Sequence, residues 1–196
     1  MSDVAGPRSR PRKPVKPITA RRLNNVAAAY VEKFAGTTAR LREVLRRRVR
    51  KARHAGVEVV DDVETIIETI VAGFVRAEVL DDARYANQKA GSLHRRGTSA
   101  RRIRDKLSVA GVAREDIDRA LAGVRAETGA SADASDLEAA IAFARRRRLG
   151  PFGDPATRVE RRQKQLAAFG RGGFALSIAR RILDSPDIDT LDELER

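Results

Sequence analysis

Arginine and lysine residues cluster at three places along this chain, and their side chains suit the binding of anions. The clusters contain Arg40, Arg42, Arg46, Arg47, Arg50 and Lys51, then Arg95, Arg96, Arg101, Arg102, Arg104 and Lys106, then Arg158, Arg161, Arg162 and Lys164. The planar guanidinium group can hold a phosphate or a carboxylate through two parallel hydrogen bonds. A net charge of +13 likewise favours a polyanionic partner, such as DNA, RNA, an acidic protein surface or a nucleoprotein.

Residues that could carry out catalysis are few. The histidines, His54 and His94, each stand beside an arginine, and both are expected at solvated helix ends. Asp81 and Asp82 open a helical pattern, where carboxylates accept backbone N–H groups, and this explains them better than a paired catalytic role. The chain has no cysteine, no glycine-rich phosphate loop and no dinucleotide fingerprint. We therefore expect no enzymatic activity, no metal site and no cofactor.

The elements that carry the basic clusters are predicted to be helices, because apolar residues recur at intervals of three and four along most of the chain. Caps and glycine breakers divide the pattern into groups of three helices. A hydroxyl cap followed by two apolar residues recurs at the same spacing in Thr37, Leu41, Leu45 and in Ser99, Ile103, Leu107, and Gly111 with Val112 matches Gly173 with Phe174. The sequence therefore predicts an all-α fold of three tandem three-helix repeats that share apolar faces in an elongated array.

The predicted boundaries follow the changes in composition. Residues 1–17 are rich in proline and basic residues and are expected to form a disordered basic arm. The three repeats are predicted at residues 18–80, 81–126 and 135–184, with a linker at 127–134 and an acidic tail at 185–196. The tail is expected to be frayed, although Leu191 and Leu194 could dock on the core. Some aromatic residues could stack on bases, but we expect them in the core because they lie on apolar helical stripes: Phe74, Tyr85, Phe143, Phe169 and Phe174. Val159 lies on such a stripe too and is likewise expected to be buried.

Charge is distributed unevenly among the predicted helices. The basic clusters flank the second helix of each repeat, whereas the third helices and their approaches carry acidic residues: Asp61, Asp62, Glu64, Glu68, Glu115, Asp116 and Asp118. If the repeats stack in register, the second helices form a continuous basic stripe. A charge run is often only a solvated face, but its repetition at one structural position favours a binding surface.

The order and spacing of three elements resemble the RecX family of bacterial regulators of the RecA recombinase. These elements are LDDARYA at residues 80–86, RRGTSARRIRDKLSVAGV at 95–112 and RGGFALSIARRIL at 171–183. The last departs from the family pattern by one inserted glycine, the first repeat has a longer and more arginine-rich second helix, and the arm and tail lie outside the resemblance. The resemblance covers roughly residues 20–185.

The resemblance implies a curved array of three-helix repeats that lies along the groove of the RecA–DNA filament. It further implies contact with more than one RecA protomer and inhibition of strand exchange and ATP hydrolysis, which would modulate recombination, DNA repair and the SOS response. We expect a monomer, since the repeats cover one another's apolar faces. We also expect a cytoplasmic protein with no membrane segment, because no apolar run reaches about 18 residues and no signal-peptide pattern follows the basic N-terminus.

A second interpretation stays open at this point. The chain could be a general DNA-binding or architectural helical protein that contacts single- or double-stranded DNA through phosphates. Residues 99–121 contain helices of a length suited to a helix-turn-helix pair. They lack the asparagine- and glutamine-rich exposed face that direct reading of bases favours.

Overall fold

The computed structural model describes residues 15–127 and 131–194, and within these residues the protein is all-α, as predicted. About 76% of the chain is helical, and no strand is present in the part that the structure describes. The ten helices described are α1 Ala20–Lys33, α2 Thr38–His54, α3 Val63–Arg76, α4 Asp82–Arg95, α5 Ala100–Val109, α6 Arg114–Glu127, α7 Ala132–Arg147, α8 Arg158–Gly172, α9 Leu176–Asp184 and α10 Ile188–Leu194. Most of the predicted basic arm, residues 1–14, lies outside the described residues.

The chain divides into two compact units. The first contains the described residues up to Phe34 together with Leu41–Val79, and the second contains Ala35–Arg40 together with the described residues from Leu80 onward. The predicted repeats two and three therefore both lie in the second unit.

The first unit is held together by apolar residues spaced about one helical turn apart. Its helices bury Leu23 and Ala27 of α1, Leu41, Leu45, Val49 and Ala52 of α2, and Val63, Ile67 and Val71 of α3. Thr19 caps α1 by accepting the Arg22 amide on its hydroxyl oxygen at 3.2 Å. Just before this cap, Ile18 is buried and exchanges two backbone hydrogen bonds with the connection between α2 and α3, at Glu58 (2.9 Å) and Val60 (3.0 Å). These bonds fix the entry of the chain into α1.

The second unit contains two apolar clusters, one for each predicted repeat. The first cluster lies among α4, α5 and α6 and includes Ala86, Ala90, Ile103, Leu107, Ile117, Ala120 and Leu121. The second lies among α7, α8, α9 and α10 and is centred on Phe143, Phe169 and Phe174, whose ring centroids are 5.3 to 5.9 Å apart. These three aromatic side chains are at most 6% exposed, so they form the core, as expected, and cannot serve as stacking platforms.

Three features differ from the expectations drawn from sequence. Helix α7 begins at Ala132, inside the predicted linker, because the Ser131 hydroxyl accepts the Ala134 amide and caps the helix. Helix α10 occupies part of the predicted tail, because Leu191 is fully buried in the second cluster. Val159 was expected to face inward but is 88% exposed, because the face of α8 that packs against the core contains Gln165 and Phe169 instead.

Candidate partner-binding surface

The starts of two basic second helices, α2 and α5, are held by a joint that occurs twice within the second unit. The Thr37 hydroxyl donates to the Ala110 carbonyl at the end of α5 (2.5 Å), and the Ser99 hydroxyl donates to the Gly172 carbonyl at the end of α8 (2.7 Å). Both bonds join residues 73 positions apart. Each hydroxyl also accepts the amide three residues later, so one side chain caps its own helix and bonds the end of the next second helix.

A carboxylate completes each joint. Asp82 accepts the Thr38 amide at 2.9 Å and the Thr38 hydroxyl at 2.8 Å, and Asp136 accepts the Ala100 amide at 2.9 Å. Each aspartate belongs to the first helix of one repeat and caps the second helix of the repeat before it. Asp82 was therefore correctly interpreted as a structural carboxylate, although the helix that it caps is not its own.

Glycine is required where the second helices meet. Gly173 has a φ of +84°, and a Cβ there would lie 2.7 Å from the Ser99 hydroxyl. Gly111 has a φ of +80°, and a Cβ there would lie 2.2 Å from that of Ala39. Both conditions exclude a side chain. The start of α5 therefore lies directly against the end of α8 within the second unit.

Several of the predicted binding residues are engaged by carboxylates of the third helices. In the first unit, Arg42 of α2 pairs with Glu68 of α3 at 2.9 Å, and Arg46 pairs with Glu64 at 2.9 Å. The Glu64 hydrogen bond raises the pKa of the Arg46 guanidinium above its usual value. Part of the positive charge of α2 is therefore balanced within the unit.

A third pair in the first unit lies along α2 itself. Arg50 donates to the Glu43 carboxylate at 2.7 Å, and this hydrogen bond, followed by the charge of Arg50, lowers the pKa of Glu43. Both side chains are more than half exposed, so the pair stabilises the helix only weakly.

The second unit repeats the pairing between second and third helices. Arg104 of α5 lies 2.9 Å from Asp118 of α6, and the hydrogen bond that it donates lowers the pKa of the Asp118 carboxyl. Arg162 of α8 lies 2.9 Å from Asp184 of α9 and donates to both of its oxygens. Carboxylates of the third helices thus neutralise arginines of the basic second helices in both units.

Two further predicted binding residues are bonded to backbone carbonyls. The Arg102 guanidinium donates to the Arg171 carbonyl at 3.1 and 2.7 Å. The Arg158 guanidinium donates to the Leu183 carbonyl in the last turn of α9 and to the Ser185 and Pro186 carbonyls just after it. Both side chains satisfy helix C-termini, which is a structural role.

The remaining predicted cations are exposed. Nine of them form no ion pair with any residue that the structure describes: Arg40, Arg47, Lys51, Arg95, Arg96, Arg101, Lys106, Arg161 and Lys164. On α2, Arg47, Arg48 and Lys51 surround a cavity of about 240 Å³ beside Val44. Every second helix therefore presents cations that are available to an outside anion.

Two features were missed or misjudged from sequence. His94 was expected to be solvated, but it is 5% exposed, and its Nε2 lies 2.8 Å from the Ser135 carbonyl of α7. The expectation was wrong because α7 covers the end of α4, which no local pattern indicates. Arg146, near the end of α7, lies outside the predicted clusters but lines a groove with Lys106, and the run of arginines at 145–148 could have indicated it.

No group of histidine, cysteine or acidic side chains within residues 15–127 and 131–194 is arranged to hold a metal ion. Among the helices that the structure describes, none combines the length and hydropathy that crossing a bilayer requires.

Comparison with known proteins gives one family. The family model described as RecX, second three-helix domain, matches residues 81–121, which run from the cap of α4 into α6. Regulatory protein RecX of Myxococcus xanthus (strain DK1622) is 38% identical over 178 residues, covering 89% of this chain and 90% of that protein. Regulatory protein RecX of Agrobacterium fabrum (strain C58 / ATCC 33970) is 35% identical over 106 residues, covering 54% of this chain and 52% of that protein. No solved structure matches.

Proposed function

This chain belongs to the RecX family of regulatory proteins, and we infer from this that it binds the RecA–DNA filament and inhibits the strand exchange and ATPase activities of RecA. It acts in the cytoplasm as a monomer and modulates recombination, DNA repair and the SOS response. It performs this role by binding, without chemistry of its own.

The observation that carries the proposal is the exposed charge on the second helices. After internal pairing is taken into account, α2 keeps Arg40, Arg47 and Lys51, α5 keeps Arg101 and Lys106, and α8 keeps Arg161 and Lys164. Arginine and lysine at these places suit DNA phosphates and acidic protein surfaces, both of which a nucleoprotein filament offers. Cations on several repeats would contact more than one protomer and so resist changes in the filament.

The joints support this role because they position the basic helices. Ser99 and Asp136 hold the start of α5 against the end of α8 through direct hydrogen bonds. Cations held on rigid helices lose less conformational freedom on binding than cations on loops, which favours the bound state.

The first test is inhibition of RecA. Purified chain at well below one copy per RecA should slow strand exchange and RecA ATP hydrolysis, whereas no inhibition at any ratio would refute the proposal. The double variant Arg161→Glu with Lys164→Glu should weaken inhibition. The matched control, Arg180→Glu with Arg181→Glu on α9, makes the same change in net charge at exposed sites on a third helix and should retain it.

The second test separates filament binding from general DNA binding. Phosphate-driven binding to naked DNA falls steeply with salt, with a slope of about 0.9 in log units for each phosphate contact. Co-sedimentation with RecA–DNA filaments should persist at a salt concentration that abolishes binding to the same DNA without RecA. Loss of both at the same salt concentration would favour the general DNA-binding protein instead.

A further inference from the structure

A groove in the second unit lies beside the predicted basic clusters and has a different chemistry. Its volume is about 360 Å³, and it is bounded by α5, by the turn before α5 and by the ends of α7 and α8. One face of α5 provides Arg102, Lys106 and Val109, which are spaced about one helical turn apart, and α7 provides Phe143 and Arg146.

The apolar part of the groove contains a largely exposed valine. Val109, the last residue of α5, is 81% exposed, although valine is among the residues most often buried. Phe143 is only 5% exposed, because its ring packs against Phe169 and Phe174 and lies under the Arg147 guanidinium. The groove therefore offers an apolar wall but no ring face on which a nucleobase could stack.

The charges around the groove are mostly positive. Arg102 is fixed by the Arg171 carbonyl and lies 3.9 Å from Asp105, the one carboxylate among the lining residues described. Lys106 and Arg146 are exposed and form no ion pair with a described residue. Three cations against one anion, beside an apolar wall, complement a ligand with carboxylates on either side of an apolar side chain.

We propose that this groove binds an acidic segment of a partner protein, which inserts an apolar side chain against Val109 and places its carboxylates on Lys106 and Arg146. Nucleic acid fits the groove less well, because phosphates gain nothing from Val109 and Phe143 is too buried to stack on a base. The proposal goes beyond the inferred function, since binding of such a segment requires neither RecA nor DNA.

The test is binding of a fluorescein-labelled peptide in which aspartates and glutamates flank a leucine and a phenylalanine, followed by fluorescence anisotropy with the full chain. The peptide should bind saturably, and a peptide with serines in place of the leucine and phenylalanine should bind about tenfold more weakly, which corresponds to about 1.4 kcal/mol. No saturable binding, or equal binding of the serine peptide, would overturn the proposal.

Variants locate the site. Val109→Ser and Lys106→Glu should each raise the dissociation constant of the peptide about tenfold, which is the size expected for loss of one central contact. Val159→Ser changes an equally exposed valine on α8, and Lys89→Glu changes an exposed lysine on α4, and both should bind as the unchanged chain does. Equal weakening by the controls would refute the location, with circular dichroism used to establish that each variant is folded.

A labelled single-stranded oligonucleotide tests the competing ligand. Its binding should be unaffected by Val109→Ser, and a clear loss would assign the groove to nucleic acid and overturn the proposal. Because the peptide assay contains no RecA, its failure leaves inhibition of RecA untouched, and failure of the RecA assays leaves the peptide result untouched.

Discussion

Replacing Ser99 by alanine removes both hydrogen bonds of its hydroxyl at the start of α5. The backbone conformation can stay the same, because alanine also adopts the extended backbone angles of Ser99. The Ser99 hydroxyl donates to the Gly172 carbonyl at 2.7 Å and accepts the Arg102 amide at 3.3 Å, and the residue is 0% exposed. Loss of a serine N-cap costs about 1 kcal/mol. Loss of the donor to Gly172 adds about 1 kcal/mol, at the low end for a buried group because Gly172 is half-buried and water can partly replace the hydroxyl. We therefore expect Ser99→Ala to lower the free energy of unfolding by about 2 kcal/mol.

Urea unfolding followed by far-UV circular dichroism measures this change as a lower midpoint with an unchanged slope. In a chain of this length, about 2 kcal/mol also lowers the melting temperature by about 4–8 °C. The matched control is Ser108→Ala, because Ser108 lies on the exposed side of the same helix and its replacement should change stability by less than about 0.5 kcal/mol.

The second copy of the joint makes the experiment stricter. Thr37→Ala should cost a similar amount, since Thr37 is also 0% exposed and makes the equivalent pair of bonds. Thr37→Ser keeps the hydroxyl and should recover most of the loss. The reasoning is refuted if the Ser99→Ala and Ser108→Ala variants have the same urea midpoint of unfolding. It is also refuted if the Thr37→Ser variant is as unstable as the Thr37→Ala variant.

Four further substitutions test the joint, the buried histidine and an ion pair. Gly111→Ala should destabilise the protein, because its φ is +80° and a Cβ would lie 2.2 Å from another Cβ, whereas Gly123→Ala, inside α6 with nothing within 4 Å, should stabilise it by about 0.5–1 kcal/mol in urea unfolding. His94→Ala should lower the free energy of unfolding by at least about 1–3 kcal/mol in the same assay, because a carbonyl of α7 loses its donor. Arg104→Gln should raise the pKa of Asp118 towards its usual value, as followed by carboxyl NMR titration. Because the pair lowers the pKa of Asp118 below its usual value, its contribution to stability is present above the usual carboxyl pKa and is lost as the pH falls through the lowered value of the folded state, so the variant should lose less stability on acidification.

The helices and the joint could be anticipated from sequence to different extents. Thr37 and Ser99 were recognisable as equivalent caps, because each is followed by apolar residues at the same spacing, and both caps are confirmed. That each hydroxyl also bonds the end of the next second helix was not predictable, since the partner carbonyl is 73 residues away. Periodicity reports which residues share a face of one helix, but not which distant backbone group that face meets.

The same limit explains the errors. His94 stands among polar residues and follows the spacing of a helix end, so its burial depends entirely on α7, which packs over it. The helix in the predicted tail contains few apolar residues, and one of them, Leu191, is fully buried in the core. So short a segment carries too weak a period to distinguish a docked helix from a frayed end by sequence alone.

Ion pairs between arginines of the second helices and carboxylates of the third helices reduce the positive charge that is available to a partner. An exposed ion pair contributes little to stability, so the main effect of Glu64, Glu68 and Asp118 is to balance the arginines opposite them. A polyanion that approaches α5 therefore meets Arg101 as an unbalanced charge, but meets Arg104 as half of a neutral pair that it must first disrupt. The anion-binding surface proposed above is accordingly narrower than the arginine count suggests.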